Sequence, residues 1–242
     1  MLRCSFLPSV ASGPALPRSY GTCAARVQTF ACIAIALVLA VALRALPATA
    51  ADQPVRIVAL GDSLTAGLGL PAEETFPAKL ERVLKAKGIA VEVANAGVSG
   101  DTASGGLARL DWSVPEGTNA VILELGANDM LRGIDPSRTR RALDEIVRRL
   151  TERRIPVLLA GMRGAANLGS DYARDFETIY SELASRHGLL FYPFFLEGVA
   201  GEAGLNQGDG LHPSAAGVDA IVARILPKVE ELVRRARDKR VM

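Results

Sequence analysis

Val55-Arg56-Ile57-Val58-Ala59-Leu60 runs directly into Gly61-Asp62-Ser63-Leu64-Thr65. Six residues rich in β-branched and aliphatic side chains, stopped by a glycine, read as a strand. The same reading fits Val91-Glu92-Val93-Ala94, Ala120-Val121-Ile122-Leu123-Glu124-Leu125, Val157-Leu158-Leu159-Ala160 and Leu189-Leu190-Phe191-Tyr192. Each stops at Gly, Asn or Pro. Helical patterns lie between them. Pro77 to Lys87 carries Leu80, Val83 and Leu84 on one face, and Thr139 to Arg153 carries Leu143, Ile146, Val147 and Leu150. Tyr172 to Arg186 repeats the spacing with Phe176, Ile179, Tyr180 and Leu183. A last helix starts near Pro213-Ser214 and carries Ile221, Ile225, Val229 and Leu232. Strand, helix, strand at this spacing predicts an α/β fold with a parallel sheet covered on both faces. Sites in such sheets form outside the carboxyl ends of the strands, so the residues after each strand carry the interest. No internal repeat, low-complexity stretch or linker interrupts the pattern.

The first 50 residues read differently. They hold Arg3, Arg18, Arg26 and Arg44 and no acidic residue; the first acid is Asp52. From Phe30 to Leu43 the chain is wholly apolar, and Ala48-Thr49-Ala50 follows. A basic start, a short apolar run and a small-x-small site predict a signal peptide over 1–50 and export to the periplasm or beyond. The run is short for a membrane span, which takes about 20 apolar residues; an uncleaved anchor is the alternative, and no stable membrane insertion is expected after cleavage. Cys4, Cys23 and Cys32 all fall in this leader, so residues 51–242 hold no cysteine for a disulfide or a metal. The remaining 192 residues suit one domain. Taking the four leader arginines from the 28 basic residues leaves 24 against 26 acidic ones, a balance that argues against nucleic acid as a partner. The basic stretch Arg234 to Arg240 reads as the solvated face of a last helix.

Four short blocks carry chemistry. Gly61 permits a sharp turn after the first strand, leaving Ser63 at the strand's end. Two readings stand there: Asp62-Ser63 caps a following helix, or Ser63 is a nucleophile. The Gly-x-Ser-x-Gly elbow is absent, because Thr65 stands two residues after Ser63. A phosphate loop is absent too, since no Gly-Lys-Ser/Thr follows. After the second strand comes Asn95-Ala96-Gly97-Val98-Ser99-Gly100-Asp101, where Gly97 is either a turn residue or a close-approaching backbone donor. After the third comes Gly126-Ala127-Asn128-Asp129, where Asn128 either forms a turn or aims its amide at a developing oxyanion. Asp209-Gly210-Leu211-His212-Pro213 precedes the last helix. Asp and His three apart can share a turn, with the carboxylate on one ring nitrogen and the other free to take a proton from a serine. Of the two histidines, His187 sits at a helix end before Gly188 and reads as structural.

Ser63 after the first strand, Gly97 after the second, Gly126 with Asn128 after the third, and Asp209 with His212 before the final helix together resemble the SGNH, or GDSL, hydrolases, over nearly all of residues 51–242. Gly126-Ala127-Asn128-Asp129-Met130-Leu131-Arg132-Gly133, Asn167-Leu168-Gly169, Tyr192-Pro193-Phe194-Phe195-Leu196 and Leu205-Asn206-Gln207 are similar to the exported thioesterase I/lysophospholipase L1 and arylesterase branch. Arg163-Gly164-Ala165-Ala166 departs from it, standing where a more proline-rich segment belongs on the substrate rim. The resemblance implies a three-layer αβα sandwich with a five-stranded parallel sheet, flavodoxin-like. It implies a serine esterase acting on small-molecule carboxylic esters of arylester, acyl-thioester or lysophospholipid type, with a Ser63–His212–Asp209 triad. Ser63, Gly97 and Asn128 would form the oxyanion hole. No cofactor and no metal are implied. Carbohydrate O-acetyl ester hydrolysis and acyl transfer would use the same triad; a binding protein without turnover would be expected to have lost one of its members. Asp62 and Asp129 read as supports for the turns. Leu64, Met130 and Leu131 read either as core or as the lining of an acyl groove. Activity is expected to rise from acid toward neutral pH as His212 loses its proton.

Overall fold

Five strands pair in parallel: β1 Val55–Gly61, β2 Val91–Gly97, β3 Ala120–Glu124, β4 Val157–Ala160 and β5 Leu190–Tyr192. Their order is β2-β1-β3-β4-β5 in the computed structural model, which describes residues 53–164 and 166–241. β3 is the middle strand and all five of its residues are buried, which is why its sequence is nearly continuous in apolar side chains. β2 is an edge strand, and it alternates: Val91 and Val93 are buried while Glu92 and Ala94 face water. Glu81 reaches over and accepts the Val93 N–H at 2.7 Å, blunting part of that free edge.

Strand ends differ from the sequence expectation in one useful way. β1 runs on to Gly61 and β2 to Gly97, and the two glycines stand opposite each other in register. Pairing with a neighbour, rather than local propensity, sets where these strands stop.

Helices follow the strands: α1 Ser63–Ala66, α2 Phe76–Ala86, α3 Ala103–Ala108, α4 Leu110–Ser113, α5 Ala127–Leu131, α6 Pro136–Glu152, α7 Ser170–His187 and α8 Ala215–Val241. α2 and α8 pack together over one face of the sheet, and α3, α6 and α7 over the other, which gives the expected three layers. α6 shows how the sequence decides this. Asp135 caps it by accepting the Ser137 N–H at 2.8 Å, and Pro136 occupies the first turn, where its missing N–H costs nothing. Leu143, Ile146, Val147 and Leu150 are buried, while Glu145 pairs with Arg148 and Arg149 on the wet side. α1, α3, α4 and α5 span four to six residues, too few for a helical period to register in sequence.

The order β2-β1-β3 makes the chain leave β1 in one direction and return on its other side. Crevices open at such switch points, outside the carboxyl ends of the strands. An aromatic column braces the β3 side of that crevice. Tyr172 stacks on Phe176 with centroids 6.0 Å apart, and Phe176 meets Tyr180 edge-on at 5.8 Å. The Tyr180 hydroxyl donates to the Leu125 carbonyl at 3.0 Å, just before α5. The expected signal peptide, residues 1–50, lies outside the described residues. Among those described, no helix is long and apolar enough to cross a membrane.

Candidate active site

Ser63 opens α1 immediately beyond β1 and is mostly buried. The capping reading of Asp62-Ser63 holds, and Ser63 itself meets a histidine. Asp62 caps the helix, its Oδ1 accepting the Leu64 N–H at 3.0 Å, while the Ser63 Oγ lies 2.9 Å from His212 Nε2. His212 Nδ1 lies 2.6 Å from Asp209 Oδ2. An ionised carboxylate only accepts, so Nδ1 carries the proton and Nε2 presents its lone pair to the serine hydroxyl. Residues 149 positions apart in sequence are thus brought into one hydrogen-bonded row.

The Asp209–His212 turn is self-organising. Asp209 Oδ1 accepts the N–H groups of Leu211 at 2.9 Å and His212 at 3.0 Å. These backbone donors, His212's first, and then the imidazole contact hold the Asp209 carboxyl well below the usual carboxylate range. Gln207 ties the turn to the serine side of the crevice. Its N–H donates to the His212 carbonyl at 2.7 Å, and its Nε2 donates to both Leu68 O at 2.7 Å and Pro213 O at 2.9 Å. Sequence reasoning noticed Gln207 only as part of a lead-in, because Leu68, on the far side of this clasp, is 139 residues away.

Asn128 sits in α5, beyond β3, and its Nδ2 donates to Asp62 Oδ2 at 3.2 Å. A carboxylate partner fixes which end of the amide faces it, and leaves the second N–H of Nδ2 free. Asp62 is fully buried, and burial pushes its carboxyl up to about 6. Behind it lies Glu124, the last residue of β3, also fully buried. Thr65 Oγ1 donates to Glu124 Oε2 at 2.6 Å, and the Asp62 N–H approaches the same oxygen at 3.4 Å. Oε1 is buried and, among the described residues, has no hydrogen-bond partner. Burial and then the Asp62 charge push the Glu124 carboxyl well up. Asp129 is the support it was expected to be: it accepts from the Ala103 N–H at 2.8 Å and the Thr139 hydroxyl at 2.9 Å. His187 pairs with Asp144 of α6 at 2.7 Å, across to the neighbouring helix rather than on its own last carbonyls. Leu64 is buried core; Met130 is partly buried and Leu131 is exposed.

Gly97 has a different task from the one its sequence suggested. N–H groups alternate sides along a strand. Val98 donates toward β1, to Gly61 O at 3.1 Å. Val93 donates the other way, to Glu81 on the free edge. Gly97 shares Val93's parity, and its N–H goes to Asn95 Oδ1 at 2.9 Å. It is turned away from β1 and already satisfied, so the expectation that it donates to an oxyanion is corrected. Glycine is needed at 97 for packing, since a Cβ there would stand 2.2 Å from the Ala66 nitrogen. Three residues on, the Asp101 N–H closes a turn on Val98 O at 3.1 Å, with Gly100 at the turn's third position and φ +83°. Among the described residues the Gly100 N–H meets no acceptor. Its carbonyl is held by Arg132 Nη2 at 2.7 Å, which ties it to the end of α5.

Among the described residues no group of three or more His, Cys, Asp or Glu side chains is arranged to hold a metal. The arrangement is a serine hydroxyl, an imidazole and a carboxylate in one hydrogen-bonded row beyond the carboxyl end of β1.

The sequence matches the GDSL-like lipase/acylhydrolase family over residues 59–220. Esterase TesA of Pseudomonas aeruginosa is 37% identical over 193 residues, covering 79% of this chain and 95% of that protein. Thioesterase 1/protease 1/lysophospholipase L1 of Escherichia coli is 38% identical over 168 residues, covering 69% of this chain and 78% of that protein. Among solved structures, that of AlinE4, an SGNH-hydrolase family esterase, superposes with a TM-score of 0.63 at 44% identity, covering 74% of this chain and 96% of that one.

Proposed function

The chain belongs to the GDSL-like lipase/acylhydrolase family and is an esterase-type hydrolase, and from that premise we propose that it hydrolyses carboxylic esters through Ser63, His212 and Asp209. The observation that carries this assignment is the row of contacts from Asp209 Oδ2 through His212 to Ser63 Oγ, at 2.6 and 2.9 Å.

His212 Nε2 takes the hydroxyl proton as Ser63 Oγ attacks the ester carbonyl. Asp209 holds the ring in the needed tautomer and stabilises the imidazolium. Negative charge collects on the former carbonyl oxygen. The Ser63 N–H, the free Nδ2 proton of Asn128 and the Gly100 N–H bind it, with Gly100 taking the place first given to Gly97. Collapse of the intermediate expels the alcohol or thiol, which takes the proton from His212, and an acyl-enzyme remains. Water, deprotonated by His212, releases the acid and restores Ser63.

The substrate we propose carries an apolar acyl or aryl group, as esters, acyl thioesters and lysophospholipids do. Leu68, Val98, Leu131 and Leu211 are all exposed, and each lies in or just after a segment that bears one of the proposed working residues: Leu68 follows α1, Val98 precedes Gly100, Leu131 ends α5, and Leu211 stands between Asp209 and His212. Water-facing apolar side chains in these segments suit contact with an apolar substrate. We further propose that residues 1–50 are a cleaved export signal and residues 51–242 the working domain.

The test is turnover of p-nitrophenyl esters from acetate to palmitate, and of an acyl thioester, by the purified protein, with Ser63→Ala in parallel. Ser63→Ala is expected to lose about 10⁴- to 10⁶-fold in kcat. Absence of Ser63-dependent turnover on every ester and thioester would sink the reading.

A further inference from the structure

One buried cation lies next to the site and takes no part in the steps above. Arg109 joins α3 to α4 and is only 7% exposed. All three nitrogens of its guanidinium donate hydrogen bonds. Nε donates to Asp101 Oδ2 at 2.6 Å, Nη1 donates to Ala96 O at 2.8 Å and to Ser113 Oγ at 3.0 Å, and Nη2 donates to Gly61 O at 2.8 Å. Two of these acceptors are main-chain carbonyls at the ends of neighbouring strands. Gly61 ends β1 two residues before Ser63, Ala96 is the last residue but one of β2, and Asp101 directly follows Gly100.

We propose that Arg109 is the positioning residue of the oxyanion site, binding Gly61, Ala96 and Asp101 into one rigid unit so that the N–H groups of Ser63 and Gly100 converge on the same point. The proposal rests on the esterase reading given above. Three segments that are separate in sequence must hold their spacing while charge appears between them, and donors preset for that charge are what lower the barrier. A planar fork of five donors can bind two carbonyls and a carboxylate at fixed angles; a lysine ammonium, with one nitrogen, cannot. Asp101 neutralises the buried charge, and it packs on α3 closely enough that a Cβ at Gly105 would meet its Oδ1 at 2.1 Å. Arg109 therefore acts through the backbone and touches no substrate.

The test is Arg109→Lys beside wild type and Ser63→Ala, with kcat, KM, melting temperature and the pH profile of kcat/KM measured on the best ester. Lysine keeps the charge for Asp101 and loses the two-carbonyl fork. The expected result is a kcat lower by about 10- to 100-fold, a KM within about twofold, and an acid limb of the pH profile left where wild type has it. A folded Arg109→Lys with kcat within about threefold of wild type overturns the proposal. So does a loss carried by KM, or an acid limb that moves, since that would place the damage at His212. Should Arg109→Lys fail to fold, Asp101→Asn decides: it keeps the shape and weakens the anchor, and a kcat equal to wild type overturns the proposal. Wild type without Ser63-dependent turnover would overturn the esterase reading and this one with it, whereas an active wild type with an equally active variant overturns this one alone.

Discussion

Asp62→Asn is expected to make the protein more stable and less active at the same time. In the folded state burial raises the Asp62 carboxyl from 3.8 to about 6. At ~1.4 kcal/mol for each tenfold, the ionised side chain costs the fold about 3 kcal/mol relative to a group that never ionises. The sign follows from the raised value. Below the unfolded value near 3.8 the side chain is protonated in both states and nothing is lost; as pH rises through about 6 the folded state must give up a proton it holds tightly, and the stability goes. Asparagine escapes that loss. Its Oδ1 keeps the Leu64 N–H, now at 3.0 Å, but its NH₂ faces the NH₂ of Asn128, and that mismatch costs about 1 kcal/mol. The net gain is about 2 kcal/mol at pH 8, or about 4–8 °C in melting temperature for a domain of this size. At pH 4 the gain is gone. Turnover falls about tenfold or more, because Asn128 loses the carboxylate that holds its amide toward the oxyanion. Melting curves of both proteins from pH 4 to pH 8 check the first part, and kcat at pH 8 the second. A melting difference that stays flat across that range refutes the argument that Asp62 is carried ionised at a cost.

Asn128→Ala is expected to lower kcat by about 10²- to 10³-fold with a smaller change in KM, and near-normal turnover would remove it from the oxyanion site. Gly97→Ala is expected to damage folding first, by about 1–3 kcal/mol in urea titration, since its Cβ would meet the Ala66 nitrogen at 2.2 Å. Gly100→Ala has room, its nearest neighbour being Arg132 Nη2 at 3.6 Å, but must hold φ +83°, so about 1–2 kcal/mol of backbone strain moves the Gly100 N–H and kcat drops. Swapped outcomes for the two glycines would restore Gly97 as the donor. Glu124→Gln replaces a carboxyl whose hold on its proton is raised well above the usual range by burial and then by the Asp62 charge. Its melting temperature should match wild type only below about pH 4, where the carboxyl is protonated folded and unfolded alike, and exceed it increasingly as the pH is raised from there, because only the wild-type unfolded chain gains by giving up that proton.

Why some of this could be read from sequence and some not comes down to parity and distance. The sheet was legible because β1, β3 and β4 are buried on both faces and therefore announce themselves as apolar runs. α6 and α7 were legible because seventeen and eighteen residues give a period room to repeat. That Ser63, Asn128, Asp209 and His212 would share one region was legible because each follows a strand or precedes a helix, which a parallel sheet turns into a common location. Gly97 was misread for a reason no composition reveals. Which side of β2 an N–H faces depends on the count from its pairing partner in β1, and the pairing register Gly61 to Gly97 exists only once the two strands meet. Counting from Val98, whose N–H reaches Gly61 O, assigns Gly97 to the outer edge, and the chain must continue to the turn at Gly100 before an N–H is free to serve. Arg109 was silent for the opposite reason. Its sequence neighbours, Leu107, Ala108 and Leu110, describe a short amphipathic turn in which an arginine reads as the wet face. Only the meeting of Gly61 and Ala96, 35 residues apart and joined at the switch of the sheet, creates a buried place with two carbonyls that a guanidinium fits. The chemistry proposed for the site is thus written in four local blocks, while the geometry by which the blocks would act on one oxygen is written in the pairing of β1 with β2.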